Sequence, residues 1–317
     1  MNTPARDHYE QGLSLFNEGK YTKALIEVDQ AVEAAPRQAE YRILRARVYL
    51  EVGQAARAIE ELESVVEQGD RLAEAHFRLG CVYDAIKDRE AAVRQFTQAI
   101  EHDPQMTEAY RRRALAYHLL EQYEAAIEDC SAVLEREPHD GVSYIRRGRA
   151  TYALGDHLAA MRDFAQGLTY RPRMSALILW SLAEWRVMAE LEPIIAQSPD
   201  NADVYFVRGH THETHTKKQL PEAIRDYTRA IELSPDRPVY YLFRSRVYLR
   251  QGELDAAMDD IEHVLKADPT HVDALVLRGK IAHRQGDREQ AAADWRAALE
   301  QDPHHLEAPE IRHWLGE

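Results

Sequence analysis

The chain has 317 residues, of which 45% are hydrophobic, and this is enough for one large domain, two medium domains or an extended array. Its 54 acidic residues outnumber its 40 basic residues and give a formal net charge of -14, so a nonspecific grip on a nucleic-acid backbone would meet long-range repulsion. We therefore expect no nucleic-acid partner.

The sequence carries no signal for export, for membrane insertion or for a cysteine-based site. No run of 18 apolar residues occurs, and the first residues, MNTPARDHYEQGL, lack the apolar core of a secretory signal. Cys81 and Cys130 stand far apart without a CxxC pairing, which argues against a disulfide framework and a cysteine zinc site. We expect a cytoplasmic protein with no membrane segment, no cofactor and no metal.

Prolines recur mostly 34 residues, or twice 34 residues, apart, and this spacing is typical of a helical repeat. They are Pro36, Pro104, Pro138, Pro172, Pro199, Pro235, Pro269 and Pro303. An alanine stands twelve residues before seven of these prolines: Ala24, Ala92, Ala126, Ala160, Ala223, Ala257 and Ala291. Ala58 occupies the same position in the unit that has no proline. A second small residue stands twelve residues earlier still: Gly12, Gly80, Ala114, Gly148, Ser245 and Gly279.

Two small residues per period predict a helical hairpin whose two helices cross closely. Proline ends each unit because it lacks an N–H and disfavours helix before it. The pattern resembles the tetratricopeptide repeat, whose signature appears here as Leu79-Gly80, Tyr83, Ala92, Phe96 and Pro104. The resemblance covers nearly the whole chain. It implies an all-α fold, a right-handed α-solenoid of tetratricopeptide helix–turn–helix repeats with a C-terminal capping helix.

We predict one uninterrupted array, because each repeat contacts mainly its neighbours. Its units are 5–38, 39–72, 73–106, 107–140, 141–174, a degenerate unit 175–201, 202–237, 238–271 and 272–305, followed by a cap at 306–317. The degenerate unit concentrates apolar residues that include Leu179 and Trp180. They predict an anchor for a partner beside Tyr152 and Phe206, a filling for the shortened repeat, or a contact between copies in a homo-oligomer.

An arginine precedes the small first-helix residue in six units, and an acid stands at one fixed place on the second helix of the same six units. Where Leu79 replaces the arginine, Gln95 replaces the acid. We therefore predict that these arginines bind the acids within each hairpin rather than a ligand. The predicted pairs are Arg45–Glu61, Arg113–Asp129, Arg147–Asp163, Arg208–Asp226, Arg244–Asp260 and Arg278–Asp294.

The resemblance implies that the first helices line a concave groove, whose exposed positions are rich in cations in an otherwise acidic chain. With the apolar residues above, the candidate groove is Arg47, Arg111, Arg112, Arg146, Arg149, Tyr152, Leu179, Trp180, Phe206, His210, Arg246 and Lys280. Such a groove suits a protein or peptide partner, and an acidic one in particular. The alternative is that these residues are ordinary solvated surface cations. We predict a non-catalytic interaction scaffold.

The stretch Gly209–Lys218, GHTHETHTKK, is the one place where the sequence suggests other chemistry. A zincin motif places two histidines four residues apart, whereas His212 and His215 are only three apart. A metal site or a hydrolase at these two histidines is therefore a remote alternative. No phosphate loop, dinucleotide motif or nucleophile elbow occurs.

Overall fold

The computed structural model describes residues 4–170, 191–215 and 219–316, without the side chain of His215. All regular secondary structure in these ranges is helical. The chain forms two compact units, Met1–Asp156 and His157–Glu317. Leu179 and Trp180 lie outside the described residues, and so does most of the segment expected to mediate self-association. The single uninterrupted array remains a prediction.

Unit 1 contains nine described helices. They are α1 (Pro4–Asn17), α2 (Tyr21–Ala34), α3 (Ala39–Glu51), α4 (Ala55–Gln68), α5 (Leu72–Ala85), α6 (Arg89–His102), α7 (Thr107–Leu119), α8 (Tyr123–Arg136) and α9 (Gly141–Ala153). Successive pairs from α1/α2 to α7/α8 pack as hairpins, and the first helices of neighbouring hairpins also contact one another. Most helices begin within one residue of the place that the repeat register predicts.

Unit 2 repeats this arrangement. Its helices are α10 (His157–Tyr170), a helical stretch at 191–197, α11 (Ala202–His215), α12 (Leu220–Leu233), α13 (Pro238–Gln251), α14 (Leu254–Ala267), α15 (Val272–Gln285), α16 (Arg288–Gln301) and α17 (Ala308–Leu315). The pairs α11/α12, α13/α14 and α15/α16 are hairpins. The predicted all-α tetratricopeptide fold is confirmed.

The helices of each hairpin cross where the sequence places its small residues. A Cβ added to Gly80 would lie 2.5 Å from the Phe96 ring, and one added to Gly209 would lie 2.9 Å from the Tyr227 ring. Where the first helix carries a larger residue, as at Ala114, the second helix carries a smaller one, here Cys130. In hairpin α7/α8 a larger residue on the first helix therefore accompanies a smaller residue on the second than in hairpin α5/α6.

In each of the described turns inside hairpins, one residue adopts a left-handed conformation. Gly252 has a φ of 86° and Gly286 a φ of 90°, a region that glycine enters without a steric penalty. At the same repeat position Lys87 and Glu121 adopt φ values of 67° and 59°. Hairpins α5/α6 and α7/α8 therefore contain a backbone conformation that their side chains disfavour.

The last helix closes the end of unit 2. On α17, Ile311 is fully buried and Trp314 stacks on Trp295 with ring centroids 4.7 Å apart. Because Trp295 belongs to the second helix of the last hairpin, α17 covers apolar surface that a further repeat would otherwise cover. This is the predicted cap.

Candidate binding surfaces

The hairpin arginines bind acids, as predicted, and are not available to a ligand. Arg113 donates from Nε and Nη2 to the two carboxylate oxygens of Asp129, both at 2.8 Å. Arg244 and Asp260 repeat this arrangement at 2.9 and 2.7 Å. Five of the six predicted pairs form: Arg45–Glu61, Arg113–Asp129, Arg208–Asp226, Arg244–Asp260 and Arg278–Asp294. The sixth predicted pair, Arg147–Asp163, has Arg147 in unit 1 and Asp163 in unit 2, and it stays a prediction.

Most of these arginines also reach the preceding repeat, which the sequence reasoning did not foresee. Arg113 donates from Nη1 to the Thr97 hydroxyl at 2.9 Å, and Arg244 donates to the Thr228 hydroxyl at 2.9 Å. One guanidinium therefore ties together both helices of its own hairpin and the second helix of the hairpin before it. Equivalent side-chain hydrogen bonds to the preceding repeat run from Arg45 to Asp29, from Arg147 to Ser131 and from Arg208 to Glu192.

We define the first-helix face of unit 1 by four arginines: Arg47 on α3, Arg112 on α7, and Arg146 and Arg149 on α9. Its balance of charge differs from that of the paired hairpin arginines. Arg112 binds Glu108 at 2.9 Å. Arg47, Arg146 and Arg149 form no ion pair with any carboxylate in the described part of the chain. Arg146 donates instead to the Arg111 carbonyl at 2.9 Å, and the Arg47 guanidinium lies 4.4 Å from the Phe16 ring centroid.

Arg111, which we expected in the groove, is fully engaged in structural ion pairs. It binds Asp140 at 3.0 Å, Glu137 at 2.7 Å and Glu108. Asp140 also accepts from the Ser143 hydroxyl and from a backbone N–H at the start of α9. Arg111 therefore joins α7 to the N-terminus of α9 and has little capacity left for a ligand.

Burial and neighbouring positive charges lower several pKa values on this face. Burial and the neighbouring charge of Arg146 lower the pKa of Arg149 to about 10, and burial and the charge of Arg78 lower the pKa of Arg47. Burial, together with Arg149 and Arg146, lowers the pKa of His118 to about 4. Positive charge therefore prevails around Arg146, Arg149 and His118, although the chain as a whole is acidic.

His118 belongs to this face although the sequence reasoning omitted it. It lies at the twelfth position of its repeat, on the first helix α7, and the family resemblance implies that the first helices line the groove. Its Nδ1 is buried without a hydrogen-bond partner in the described structure, and its ring packs edge-on against Tyr123. The register alone would have identified it.

In unit 2 the structure corrects two predicted groove residues. Phe206 is fully buried and packs against Phe243 with ring centroids 5.0 Å apart, and His210 is 3% exposed and also contacts Phe243. Phe206 occupies a repeat position that is buried elsewhere too, at Ile43 and Ile145. Since both side chains are buried in contact with Phe243, neither residue can line an open groove.

Arg246 is also committed to an internal partner. It donates at 2.7 Å to Glu213, which is 3% exposed and also accepts from the Tyr227 hydroxyl at 2.8 Å and from Arg250 at 3.2 Å. Despite burial, the charges of Arg246 and His210 hold the pKa of Glu213 well below its ordinary value. The glutamate of the HTHETH stretch is thus the counterion of two arginines.

A pocket of ≈390 Å³ lies on the first-helix side of unit 2. It brings together Arg246 and Lys280, both predicted in the groove, with Arg250 and Arg284. Lys280 forms an ion pair with Glu307, and its Nζ lies 5.9 Å from the Trp314 ring centroid. Tyr152, also predicted in the groove, is half-buried near the end of α9 in unit 1.

The histidine stretch forms no metal cluster in the described residues, which contain no group of three His, Cys, Asp or Glu side chains that could hold an ion. His212 Nδ1 lies 3.1 Å from the Gln219 amide oxygen, and the side chain of His215 is outside the description. In the same residues no helix has the length and apolar character needed to cross a bilayer.

Comparison with known families agrees with this geometry. Family models described as "Tetratricopeptide repeat" match residues 9–73, 73–106, 107–140, 216–272 and 244–305. The chain belongs to the tetratricopeptide repeat family. The models leave residues 141–215 of this tetratricopeptide repeat protein unmatched, a stretch that includes the degenerate unit. No curated protein matches the sequence.

Several solved structures are similar to all or part of this chain. A MamA RS-1 ArsTM double mutant is 20% identical, with a TM-score of 0.50 over 55% of this chain and 98% of its own. A tetratricopeptide repeat protein from Parabacteroides merdae ATCC 43184 is 20% identical and has a TM-score of 0.41, covering 88% of this chain and 99% of its own. The first such domain of Spaghetti (RPAP3), bound to the HSP90 peptide SRMEEVD, is 23% identical, with a TM-score of 0.35 over 37% and 93%.

Proposed function

We propose that this protein is a non-catalytic interaction scaffold that holds an acidic segment of a partner protein on the first-helix face of unit 1. The observation that carries the proposal is the absence of carboxylate partners for Arg47, Arg146 and Arg149 in the described residues. The hairpin arginines Arg45 and Arg113 of the same unit, in contrast, are paired with acids. Stacked helical repeats provide extended surfaces of the kind that this proposal requires.

The energetic reason lies in the cost of a half-buried charge. A guanidinium that has lost part of its hydration is stabilised by an anion that accepts its N–H groups. Within residues 4–170, 191–215 and 219–316, Arg149 has neither an ion pair nor a hydrogen bond from its side chain. Its lowered pKa reflects the same deficit. A carboxylate from a partner supplies both the charge and the acceptors, so an acidic segment gains binding energy here that a neutral one does not.

The overall charge of the chain narrows the choice of anion. With a formal net charge of -14, the protein repels a long polyanion such as nucleic acid at a distance, and only a local cationic surface attracts. A short acidic peptide segment reaches the face of Arg146 and Arg149 without placing many negative charges against the rest of the protein. This favours a peptide over a nucleic-acid backbone.

The proposal is tested with a fluorescein-labelled peptide of alternating Glu and Ser, whose binding is followed by fluorescence anisotropy. We expect binding that weakens with added salt, and a loss of about tenfold in affinity for Arg149→Glu, since one repulsive contact of about 1.4 kcal/mol has that effect. Arg246 is unsuitable for charge reversal because Glu213 is its buried counterion.

Two controls make the result specific. Arg94→Glu changes the net charge of unit 1 equally on an exposed site of α6, and should leave the affinity unchanged. A peptide of alternating Gln and Ser should not bind. Equal affinity of Arg149→Glu and the unmodified protein for the acidic peptide would show that this face is not the binding surface.

A further inference from the structure

The pocket in unit 2 has an apolar wall and a charged rim. Leu242 and Leu249 of α13 and Val276 and Leu277 of α15 line the wall, and each is at most 8% exposed. Their remaining exposed surface faces a space of ≈390 Å³, which lies in the size range of pockets that enclose small ligands. An apolar group in this space would remove that surface from water.

The carboxylates of the rim are already occupied by internal partners. Glu213 accepts hydrogen bonds from Tyr227, Arg246 and Arg250. Glu307 forms an ion pair with Lys280, and Asp273 lies 3.2 Å from His305 Nε2. The pocket therefore offers a ligand few acceptors.

Hydrogen-bond donors, in contrast, are in excess. Arg250 is 41% exposed and uses one described bond, at 3.2 Å, to Glu213. Arg284 is exposed, donates from Nη1 to the Leu249 carbonyl at 2.6 Å, and forms no ion pair in the described part of the chain. A guanidinium has five N–H donors, so both arginines retain unused donors at the rim.

We infer that this pocket binds an aliphatic carboxylate, with its apolar body against the Leu242, Leu249, Val276 and Leu277 wall and its carboxylate on Arg250 and Arg284. An arginine is suited to this role because its planar fork accepts a carboxylate in bidentate fashion. The site lies wholly within unit 2 and is independent of acidic-peptide binding by unit 1.

Two sources provide the same chemistry: a free aliphatic acid and the terminal residue of a peptide that ends in leucine. Methyl-resolved NMR titrations with octanoate and with Gly-Gly-Leu distinguish them. Saturable shifts of the Val276 and Leu277 methyl groups with octanoate alone assign the site to a free acid. Tighter binding of Gly-Gly-Leu assigns it to a peptide terminus, and both results support the inferred chemistry.

Both halves of the ligand are tested separately. Octanamide keeps the apolar body without the charge, and acetate keeps the charge without the apolar body. We expect each to bind at least about tenfold more weakly than octanoate, because each loses one of the two contacts. Equal binding of octanoate and octanamide would overturn the inference, and so would an absence of methyl shifts with both octanoate and Gly-Gly-Leu.

The arginine at the rim is tested by Arg284→Glu, with Arg296→Glu as the matched control. Both side chains are exposed and both lie in unit 2, but Arg296 is on α16 away from the pocket. We expect Arg284→Glu to weaken the tighter of the two ligands at least about tenfold and Arg296→Glu to leave its affinity unchanged. Equal affinity of the two variants would also overturn the assignment of the carboxylate to this rim.

Discussion

Arg113 and Asp129 form a two-bond ion pair between the helices of one hairpin, and burial raises the pKa of Asp129 even in the presence of this arginine. We predict that Arg113→Leu lowers the free energy of unfolding by about 3 kcal/mol at pH 8, because it leaves a buried carboxylate without a counterion. Urea unfolding at several pH values measures the loss.

The pH dependence of this loss has a defined sign. Without Arg113, the folded-state pKa of Asp129 rises further above that of the unfolded chain, so the folded protein takes up the proton more readily. The loss should therefore be smaller at pH 5 than at pH 8. The double variant Arg113→Leu with Asp129→Leu should recover part of the stability. An Arg113→Leu protein as stable as the original at pH 8 would contradict a structural role for the pair.

A second prediction concerns the contact between Gly80 and Phe96. Because an added Cβ would lie 2.5 Å from a fully buried ring, Gly80→Ala should destabilise unit 1 by about 1–3 kcal/mol. Combining Gly80→Ala with Phe96→Leu recreates the pair that Ala46 and Leu62 form in hairpin α3/α4. Thermal melts should show a smaller total loss than the sum of the two single losses. Strict additivity would argue against the volume exchange at the crossing.

The third prediction uses the left-handed turn of Lys87. Its φ of 67° is unfavourable for a residue with a Cβ, whereas Gly53 occupies the same repeat position with a φ of 77°. Lys87→Gly should therefore stabilise the protein by about 0.5–1 kcal/mol, and Gly53→Ala should destabilise it by about 1 kcal/mol. Chemical denaturation of both variants measures these two opposite changes in the free energy of unfolding. A destabilised Lys87→Gly protein would refute the prediction.

The fourth prediction concerns His118. Burial and the charges of Arg149 and Arg146 lower its pKa to about 4, whereas in the unfolded chain its pKa lies near 6.5. Since only the unfolded chain binds this proton between these values, stability should fall as the pH is lowered from 6.5 to 4. His118→Gln should flatten this part of the stability curve.

NMR titration of the His118 ring separates burial from charge. Arg149→Ala removes one of the two neighbouring cations and should raise the pKa of His118, whereas Arg94→Ala should not change it. The acidic probe peptide should raise this pKa too if it binds beside Arg149. An unchanged pKa in Arg149→Ala would attribute the whole effect to burial and Arg146.

Much of the fold could be predicted from the sequence because the repeat constrains it several times over. The small residues, the turn positions and the arginine–acid pairs recur at fixed intervals, so several copies support each inference. The exposure of single positions was harder to predict. Phe206 was assigned to the groove although the apolar residues Ile43 and Ile145 occupy its position in other repeats, and that pattern already indicated burial.

The buried network around Glu213 was missed for a different reason. Its partner Arg246 lies 33 residues away, in the next repeat. The arginine–acid pattern in the sequence, in contrast, relates residues of the same hairpin. The histidines of this stretch indicate metal chemistry, whereas the glutamate between them balances charges on the next first helix. Pairs separated by about one repeat length would have revealed this contact.

The arginines that reach back to Asp29, Thr97 and Thr228 have a consequence for how the protein loses its structure. Each one links the opening of its hairpin to the opening of the hairpin before it, so neighbouring repeats should unfold together. Hairpin α5/α6 has Leu79 in place of the arginine and lacks this link to α3/α4. Unit 1 is therefore most easily divided between these two hairpins, and hydrogen exchange should show its sharpest change in protection there.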